Sequence, residues 1–326
     1  MKLGSVKKNV AQVLVVASTR EGIFVELGVV LRQIAQREVA NAVDSFGLAA
    51  FIKACGEDVA LLAATAAAVD AQKELATIDL NDVQWMPPLA NPKIVCVANN
   101  NTAFAKDIVK GPKNPALFNK PSSALIGLGQ AIELRPDHGI TYPEPELAVV
   151  VSRKLKNASV EEASAAIFGY TIHNDVTSAT MREEDTFHYR EATIAENGSF
   201  KIVESYASYP GRYKGADTFA PMGPWIVTAD EIPDPHSLAV ECWMGSELAY
   251  ADNTRNLTHS SKEVLSFASH YQTINPGDVI SMGTASDPAG ETGDKPQVAT
   301  DMNRGCTSVT VKIEKIGALT NGVVRL

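Results

Sequence analysis

The feature that most constrains the fold is a series of short apolar segments between about residue 92 and the end of the sequence. Each is rich in Val, Ile or aromatic residues and stops at a turn signal, which is the pattern of β-strands. Helical patterns are few here, around "SVEEASAAI" and "SSKEVLSFASHYQ", and strand and helix do not alternate regularly as in a parallel sheet. The sequence therefore predicts a mixed α/β, β-rich catalytic domain over residues 91–326. The strand-like segments are "KIVCVANN", "ALIGLG", "ELAVVVSR", "AAIFGYTIHND", "PWIVTADEI", "LAVECWMG", "DVISMGT", "SVTVKIEKIG" and "GVVRL".

Residues 1–90 have a different pattern. The opening "MKLGSVKKNVAQVLVVAS" has the lysines and apolar residues of a signal peptide, but Gln12 interrupts the run and "STREGIFVEL" continues as a turn and a strand. This favours a β-hairpin. Ala, Leu and Val then recur at helical spacing, with Gly47 and Gly56 as candidate breaks. The prolines of "WMPPLANPK" mark a boundary near residue 90, so we predict a small N-terminal α+β region.

The charge balance limits the class of partner. The 326 residues have a formal net charge of −9, whereas nucleic acids and anionic membranes require concentrated Lys and Arg. No segment approaches the roughly 18 apolar residues of a membrane span. We therefore expect a small-molecule substrate, no nucleic-acid or membrane partner, and a cytoplasmic location. Four widely spaced cysteines without a CxxC pair favour reduced thiols over a disulfide or zinc site; they are Cys55, Cys96, Cys242 and Cys306.

Two glutamates precede an unbroken apolar run in "TYPEPELAVVVSR". In a strand, residues i and i+2 share a face, so Glu144 and Glu146 would lie side by side and repel each other. Asp175, at the end of another strand-like run, is a third candidate. Three carboxylates would form an all-oxygen site for a hard divalent cation such as Mg²⁺ or Mn²⁺. A solvated strand end is the alternative that spacing alone leaves open.

Four segments resemble, in this order, motifs of the fumarylacetoacetate hydrolase superfamily. They are "YPEPELAVVVSR", "GYTIHNDVTS", "KGADTFAPMGPWIVTADEI" and "INPGDVISMGTASDPAG", and the resemblance covers roughly residues 92–326. It implies a β-roll of stacked sheets, a homodimer and a 2-oxo acid substrate. It also places Glu144, Glu146 and Asp175 on the family's metal ligands, with Mg²⁺ as the expected ion and Mn²⁺ or Ca²⁺ as alternatives.

The same resemblance implies roles for four further residues. Lys214 in "KGADTF" falls on the family's active-site lysine, and Asp217 falls on the aspartate that supports it. Thr284 falls on a threonine that binds the substrate carboxylate. Lys120 in "LFNKPSSALIG" matches a K-P-x-S segment and is expected to line the same pocket as a catalytic residue. A surface lysine at Lys214 and a turn residue at Thr284 are the alternatives.

One loop departs from the pattern of the hydrolytic members, which resembles N-Y-x-x-H-x-x-E. In "NNTAFAKD", Asn101 falls on the tyrosine, Phe104 on the histidine and Asp107 on the glutamate, and we assign Asn101 to the substrate site. Phenylalanine cannot accept a proton, so the general base that activates water is missing. His173, two residues before Asp175, and His188, on a predicted loop over the site, are candidate replacements, with structural roles as the alternative.

These residues favour a divalent-metal-dependent enzyme that cleaves a C–C bond of a 2,4-dioxo acid, as acylpyruvate and fumarylacetoacetate hydrolases do. Phe104 favours the first alternative, a lyase of the same fold that dehydrates a 2-keto-3-deoxy sugar acid or decarboxylates an oxo acid. The second alternative is a non-catalytic oxo-acid-binding homologue. The presence of Lys214 beside a complete ligand set argues against that last hypothesis.

Overall fold

The computed structural model of the protein describes most of the chain. The described residues are 1–9, 11–17, 23–71, 77–79, 83–103, 108, 111–285 and 297–326.

The N-terminal region begins with strands and continues with helices, as predicted. Strands β1 and β2 form an antiparallel hairpin, and β2 also pairs with β3. Gly47 ends the second helix and precedes the third, whereas Gly56 lies inside the last turn of the third helix. The elements are β1 (Lys2–Lys8), β2 (Ala11–Ala17), β3 (Phe24–Glu26), α1 (Leu27–Gln33), α2 (Arg37–Phe46), α3 (Leu48–Glu57), α4 (Val59–Ala71) and β4 (Gln84–Met86).

The remainder is strand-rich with short helices, which confirms the predicted fold class. Its strands are β5 (Ile94–Ala98), β6 (Ala116–Lys120), β7 (Leu125–Ile126), β8 (Ile132–Leu134), β9 (Thr141–Tyr142), β10 (Pro145–Val151), β11 (Ile167–Asn174), β12 (Thr177–Ser178), β13 (Thr186–Ile194), β14 (Phe200–Ser208), β15 (Ala220–Thr228), β16 (Ala239–Met244), β17 (Glu247–Asn253), β18 (Val279–Thr284), β19 (Ser308–Ile313) and β20 (Gly317–Arg325). Its helices are α5 (Val160–Ala165), α6 (Ala179–Glu184), α7 (Gly211–Gly215) and α8 (Ser261–Tyr271).

Two sheets are stacked in this part of the chain. Within the described residues, the larger sheet has the order β3-β2-β1-β15-β11-β10-β18-β5-β6, with β4 beside β1 and β7 beside β15. The smaller sheet has the order β17-β16-β19-β20-β8. Because β1 pairs with β15, the N-terminal strands continue the larger sheet. The division at residue 90 stays a prediction.

Strand β10 lies at the centre of this arrangement and is buried along its whole length. Leu147 and Val149 point into the core shared with the smaller sheet. Ala148 and Val150 point to the other face, where the core includes α1–α4. A strand covered on both faces loses the polar alternation of a surface strand, which explains the unbroken apolar run after Glu146.

The two helices predicted in the catalytic part begin at capping boxes. Ser159 and Glu162 bond to each other's backbone N–H groups at the start of α5, and Ser260 and Glu263 do so at the start of α8. Each box satisfies two N–H groups that have no partner inside the helix. Both helices therefore start where the sequence pattern places them.

Strands β13 and β14 form a separate two-stranded hairpin between α6 and α7. They pair with each other over their full length and form a sheet of their own among the described residues. Large apolar side chains near the tip are exposed, including Ile194, Phe200 and Ile202. The sequence predicts a loop over the site at His188. Instead, His188 lies exposed on β13 and packs against the Tyr206 ring of β14.

Candidate metal centre

Neighbouring strands bring the predicted ligands to one edge of the larger sheet. Strands β10 and β11 are antiparallel with Pro145 opposite Asn174, so Glu144 precedes one strand where Asp175 follows the other. The Asp175 N–H donates to the Glu144 carbonyl at 2.9 Å. Strand β18 flanks β10 on the other side with Thr284 opposite Glu146. Strand register therefore positions these side chains in one cluster.

The three carboxylates lie close together. One oxygen from each of Glu144, Glu146 and Asp175 is within 4.8 Å of the others. Glu146 and Asp175 are buried, and Glu144 is partly buried. Three negative charges in so small and dry a volume repel one another strongly unless cations compensate them.

Two lysines supply part of that compensation. Lys120 Nζ lies 2.5 Å from Asp175 Oδ1, and Lys214 Nζ lies 2.6 Å from Asp175 Oδ2 and 3.0 Å from Glu144 Oε2. Burial alone would raise the pKa of Asp175, but the two lysine charges outweigh it and lower that pKa to about 2. Burial likewise opposes the charge of Lys214, yet the carboxylates of Asp175 and Glu144 raise its pKa above the ordinary value.

Glu146 is held by neutral groups. The Ser281 hydroxyl donates to its Oε2 atom, and the Gly283 N–H donates to the same oxygen at 3.1 Å. Ser281 in turn contacts His173 Nδ1 at 2.7 Å. Burial, followed by the charge of Asp175, raises the pKa of Glu146, while His173, whose Nδ1 lies 3.9 Å from Glu146 Oε2, opposes this. Three carboxylates and two lysines leave one uncompensated negative charge, and the oxygen donor set suits a hard divalent cation. The residues present therefore fit the implied metal.

Two threonine hydroxyls orient Glu144. Thr284 Oγ1 donates to Glu144 Oε2 at 2.7 Å, and Thr177 Oγ1 lies 2.8 Å from Glu144 Oε1. Both carboxylate oxygens of this partly exposed residue are thus fixed, which preorganises it as a ligand.

A cavity of about 370 Å³ opens onto this centre. Its polar and charged lining residues include Glu144, Asp175, Lys214, Thr284 and Arg182. Its apolar lining residues include Val97, Leu117 and Phe118, and Lys214 Nζ lies 5.2 Å from the centre of the Phe118 ring. Ser208 and Pro210, at the base of the hairpin, also line the cavity. This volume lies in the range of small-molecule sites, about 300–1,000 Å³.

The structure separates the other predicted residues from the cavity wall. Lys120 is buried, pairs with Asp175 and also donates to the Val176 carbonyl. It therefore positions the metal-ligating carboxylate of Asp175 and does not line the cavity. The Asn101 amide donates to Asp252 at 2.8 Å and to the Thr284 carbonyl at 3.1 Å. Asn101 thus supports Thr284 and faces a neighbouring depression.

Asp217 does not lie beside Lys214. Its side chain is exposed and lines a separate surface depression with Arg135 and Arg212. Lys214 is in α7, which ends at Gly215, and the extended backbone that follows directs Asp217 away. The predicted support of Lys214 by Asp217 therefore has no counterpart in the geometry, where Asp175 and Glu144 take that part. Phe104 and Asp107 lie outside the described residues.

The sequence motifs do not identify three residues of the site. Ser281 lies three residues before Thr284 in "DVISMGT", where its strand position was a usable signal, and Thr177 follows Asp175 by two residues. Arg182 lies on α6 in the charge run "REED", which by itself indicates a solvated helix.

No helix among the described residues has the length and apolarity that crossing a membrane requires.

Comparisons with known proteins agree with this geometry. Residues 93–324 match the family model of the fumarylacetoacetate (FAA) hydrolase C-terminal domain. The mitochondrial oxaloacetate tautomerase of Xenopus laevis is 30% identical over 246 residues, which cover 75% of this chain and 69% of the relative. A human mitochondrial oxaloacetate tautomerase is 30% identical over 253 residues, covering 77% and 73%.

Solved structures show the same fold over the whole chain. Maleylpyruvate hydrolase from Sphingobium sp. SYK-6, in complex with manganese(II) and pyruvate, superposes with a TM-score of 0.69 at 25% identity and covers 100% of this chain and 99% of its own. The 5-carboxymethyl-2-hydroxymuconate delta-isomerase of Mycobacterium smegmatis has a TM-score of 0.65 at 25% identity, with coverages of 100% and 99%. The chain therefore belongs to the fumarylacetoacetate hydrolase family.

Proposed function

We propose that the protein is a divalent-metal-dependent enzyme that interconverts the keto and enol forms of a small 2-oxo acid. The observation on which this rests is the cluster of Glu144, Glu146 and Asp175, of which Glu144 and Asp175 line a cavity that Lys214 also lines. A divalent cation held by these carboxylates would act as a Lewis acid toward the substrate oxygens. The Xenopus and human relatives are oxaloacetate tautomerases, and their reaction is of this kind.

Lys214 supplies positive charge where the reaction develops negative charge. When the C–H bond next to the carbonyl breaks, its electron pair forms the C=C bond, the π pair of the C=O bond moves to the 2-oxo oxygen, and solvent water accepts the proton. Lys214 Nζ, fixed by Asp175 and Glu144 at 2.6 and 3.0 Å, stabilises that oxygen and donates the proton that completes the enol. Solvent restores the lysine proton, so the step needs no oxidant and no attacking water. The apolar wall beside Phe118 strengthens the electrostatic effect.

Tautomerisation suits this chain better than hydrolysis because hydrolysis requires a base that activates water. The family histidine position is Phe104, which cannot accept a proton. In the described lining of the cavity, Glu144, Asp175 and Lys214 are already engaged in ligand and charge contacts. Keto–enol exchange needs no activated nucleophile, because solvent accepts the carbon-bound proton and Lys214 protonates the oxygen.

Cleavage of a C–C bond in a 2,4-dioxo acid is the second candidate. It is favoured by the likeness to maleylpyruvate hydrolase over the whole chain and by the "KGADTFAPMGP" segment. Both reactions pass through negative charge on the same 2-oxo oxygen, so they share Lys214 and the carboxylates and differ in the need for activated water.

The two candidates are separated by following substrate and product together. Protein with Mg²⁺, or with EDTA, is mixed with the enol form of oxaloacetate, and the enol absorbance and pyruvate are measured over time. We expect enol loss faster than with Mg²⁺ alone, with no pyruvate formed. Release of pyruvate from acetylpyruvate would support hydrolysis, and pyruvate with CO₂ from oxaloacetate would support a decarboxylase. No acceleration with any of these substrates would contradict an enzymatic role.

Two lysine variants test the proposed site within the same assay. Lys214→Met removes the charge at the reacting oxygen and is expected to lower kcat by about 100-fold, as loss of such a donor does. Lys312→Met is the matched control, since Lys312 is exposed on β19 and outside the cavity lining. Equal activity of Lys214→Met and Lys312→Met would contradict the proposed role of Lys214.

A further inference from the structure

Arg182 lines the cavity of the metal centre but is not part of that centre. It lies on α6, and the cavity wall includes it together with Glu144, Asp175, Lys214 and Thr284. Its backbone is well anchored. The Ser178 side chain accepts from the Met181 N–H at 3.0 Å, and the Thr186 hydroxyl donates to the Arg182 carbonyl at 2.6 Å. The position of Arg182 on the cavity wall is therefore set by the fold.

The guanidinium of Arg182 makes no ion pair or hydrogen bond with any residue that the structure describes. This is notable because three acidic residues follow it directly. Two of them, Glu184 and Asp185, pair instead with Arg212 at 2.7 and 2.8 Å. An exposed arginine at a cavity wall that forms no ion pair with the described residues has all five N–H donors available for a ligand.

The charge of the site points to the kind of ligand. Three carboxylates and the two lysines, Lys120 and Lys214, leave one negative charge, and a divalent cation would turn this into one positive charge. Arg182 adds a second. A monoanionic 2-oxo acid would neutralise only half of that charge, whereas a dianion would neutralise all of it. Arginine binds carboxylates with two parallel N–H···O bonds, which adds geometric selectivity to the charge.

We propose that Arg182 binds a second carboxylate of the substrate, so that the enzyme selects 2-oxo dicarboxylic acids over 2-oxo monocarboxylic acids. The metal centre and Thr284 hold the 2-oxo acid end, and Arg182 holds the distal carboxylate. Arg182 is thus a specificity-determining residue that touches no reacting atom. This inference rests on the proposed function, because it assigns the two ends of the substrate of that site.

The test compares matched pairs of compounds that differ only at the distal carboxylate. In steady-state kinetics these are oxaloacetate and its C4 methyl ester. For Arg182→Met we expect kcat/KM on oxaloacetate to fall about 10- to 100-fold, mainly through KM, as befits loss of a charge-assisted bidentate contact. The kcat/KM of Arg182→Met on the ester should differ from the wild-type value by less than about twofold. Arg182→Lys keeps the positive charge but lacks the two parallel N–H donors of a guanidinium, so its kcat/KM on oxaloacetate should be intermediate.

Arg190→Met is the matched control. Arg190 is exposed on β13, pairs with Glu204 and lies outside the cavity lining, so this variant removes the same charge nearby and should keep the wild-type preference. An equal loss on oxaloacetate and its ester, or no loss on oxaloacetate, would overturn the assignment. Circular dichroism of each variant verifies that the fold is retained.

Calorimetric binding of malate and lactate separates this inference from the proposed function. Neither compound has a keto group, and they differ by the distal carboxylate alone. We expect Mg²⁺-loaded wild-type protein to bind malate more tightly than lactate, and Arg182→Met to lose that preference. If Arg182→Met loses the preference for malate but the wild-type protein turns over no oxo acid, the proposed function is refuted and this inference stands. Turnover with a malate preference that survives Arg182→Met would refute the inference alone.

Discussion

At the scale of single residues, the three carboxylates of the centre differ in what neutralises them. Asp175 contacts two lysines and Glu144 contacts one. Glu146, although buried, is held by a hydroxyl and a backbone N–H. The carboxylate without a lysine is therefore the one whose charge depends most on a bound cation.

Glu146→Gln should weaken divalent-metal binding and activity together. The amide keeps the shape of the side chain but removes the uncompensated charge, and we expect Mn²⁺ affinity to fall at least about 100-fold, more than is typical for loss of a supporting residue. Titration calorimetry with Mn²⁺ measures this directly. Glu241→Gln, at a partly exposed position on β16, is the control, and unchanged Mn²⁺ affinity in Glu146→Gln would rule out its role as a ligand.

Lys120→Met should destabilise the metal-free protein. Lys120 and Asp175 form a fully buried ion pair, and removing one partner leaves the other charge poorly compensated, at a cost of about 3 kcal/mol in the free energy of unfolding. Urea denaturation in EDTA measures the loss, and added Mg²⁺ should recover part of it. Lys53→Met, which breaks the exposed pair with Glu57, should cost less than about 0.5 kcal/mol. Similar losses for both variants would contradict the burial argument.

At the scale of elements, the capping box of α8 makes a titratable contribution to stability. The Ser260 N–H donates to Glu263 Oε2 at 2.8 Å and the Ser260 hydroxyl donates to the same oxygen at 2.7 Å. These bonds from Ser260 lower the pKa of Glu263 below its ordinary value of 4.5. Because the folded-state pKa is the lower one, the contribution is fully present above the ordinary value and is lost as pH falls through the folded-state pKa.

Glu263→Ala should therefore cost stability in a pH-dependent way. We expect a loss of about 1 kcal/mol at neutral pH, which is typical of a helix cap, and a smaller loss as the pH falls below about 4. Urea denaturation of both proteins across this pH range gives the difference. A loss that stays constant down to acidic pH would show that the ionised carboxylate is not the source of the effect.

The hairpin of β13 and β14 shows where local sequence reasoning failed at this scale. The alternation of Phe187 and Tyr189 with polar residues is a strand pattern, but both faces of the hairpin are exposed, so no continuous apolar side distinguished it from a polar loop. The helices α5 and α8 were predicted correctly because their caps and their apolar periodicity lie within a few residues of each other.

At the scale of the whole molecule, the N-terminal helix α3 packs closely against the chain just after β10, at the end of that strand opposite the metal centre. A Cβ atom added at Gly56 in α3 would lie 2.3 Å from the Ser152 carbonyl, just after β10. Arg153 also donates to the Gly56 carbonyl at 2.9 Å. The glycine read in the sequence as a helix break is therefore needed for close packing.

Gly56→Ala should destabilise the protein although alanine favours helices. The clash with backbone atoms of Ser152 cannot be relieved by a side-chain rotation, and overpacking of this kind costs about 1–3 kcal/mol. Gly211→Ala in α7 is the control, because nothing lies within 4 Å of the added Cβ atom and its effect should be neutral or slightly stabilising. Equal urea midpoints for the two variants would refute the contact.

The clustering of the three carboxylates and the strand-rich fold could be predicted from the sequence because both depend on patterns that are local in the chain. Glu144, Glu146 and Asp175 lie at strand ends, where the two-residue period and the ordered motifs locate them. The positions of Asp217, Asn101 and Arg182 depend on how α6, α7 and the loop after β5 pack in three dimensions. No spacing along the chain encodes that packing, so the sequence predicts Asp217 beside Lys214 and does not identify Arg182.

The hairpin of β13 and β14 connects the helix of Arg182 to the helix of Lys214, and its base, Ser208 and Pro210, forms part of the cavity wall. The metal ligands, in contrast, lie at the ends of the central strands β10 and β11. Insertions and substitutions are tolerated best in exposed segments that few buried side chains hold in place. Changes in the hairpin can therefore reshape the substrate pocket without moving the strands that hold the metal ligands.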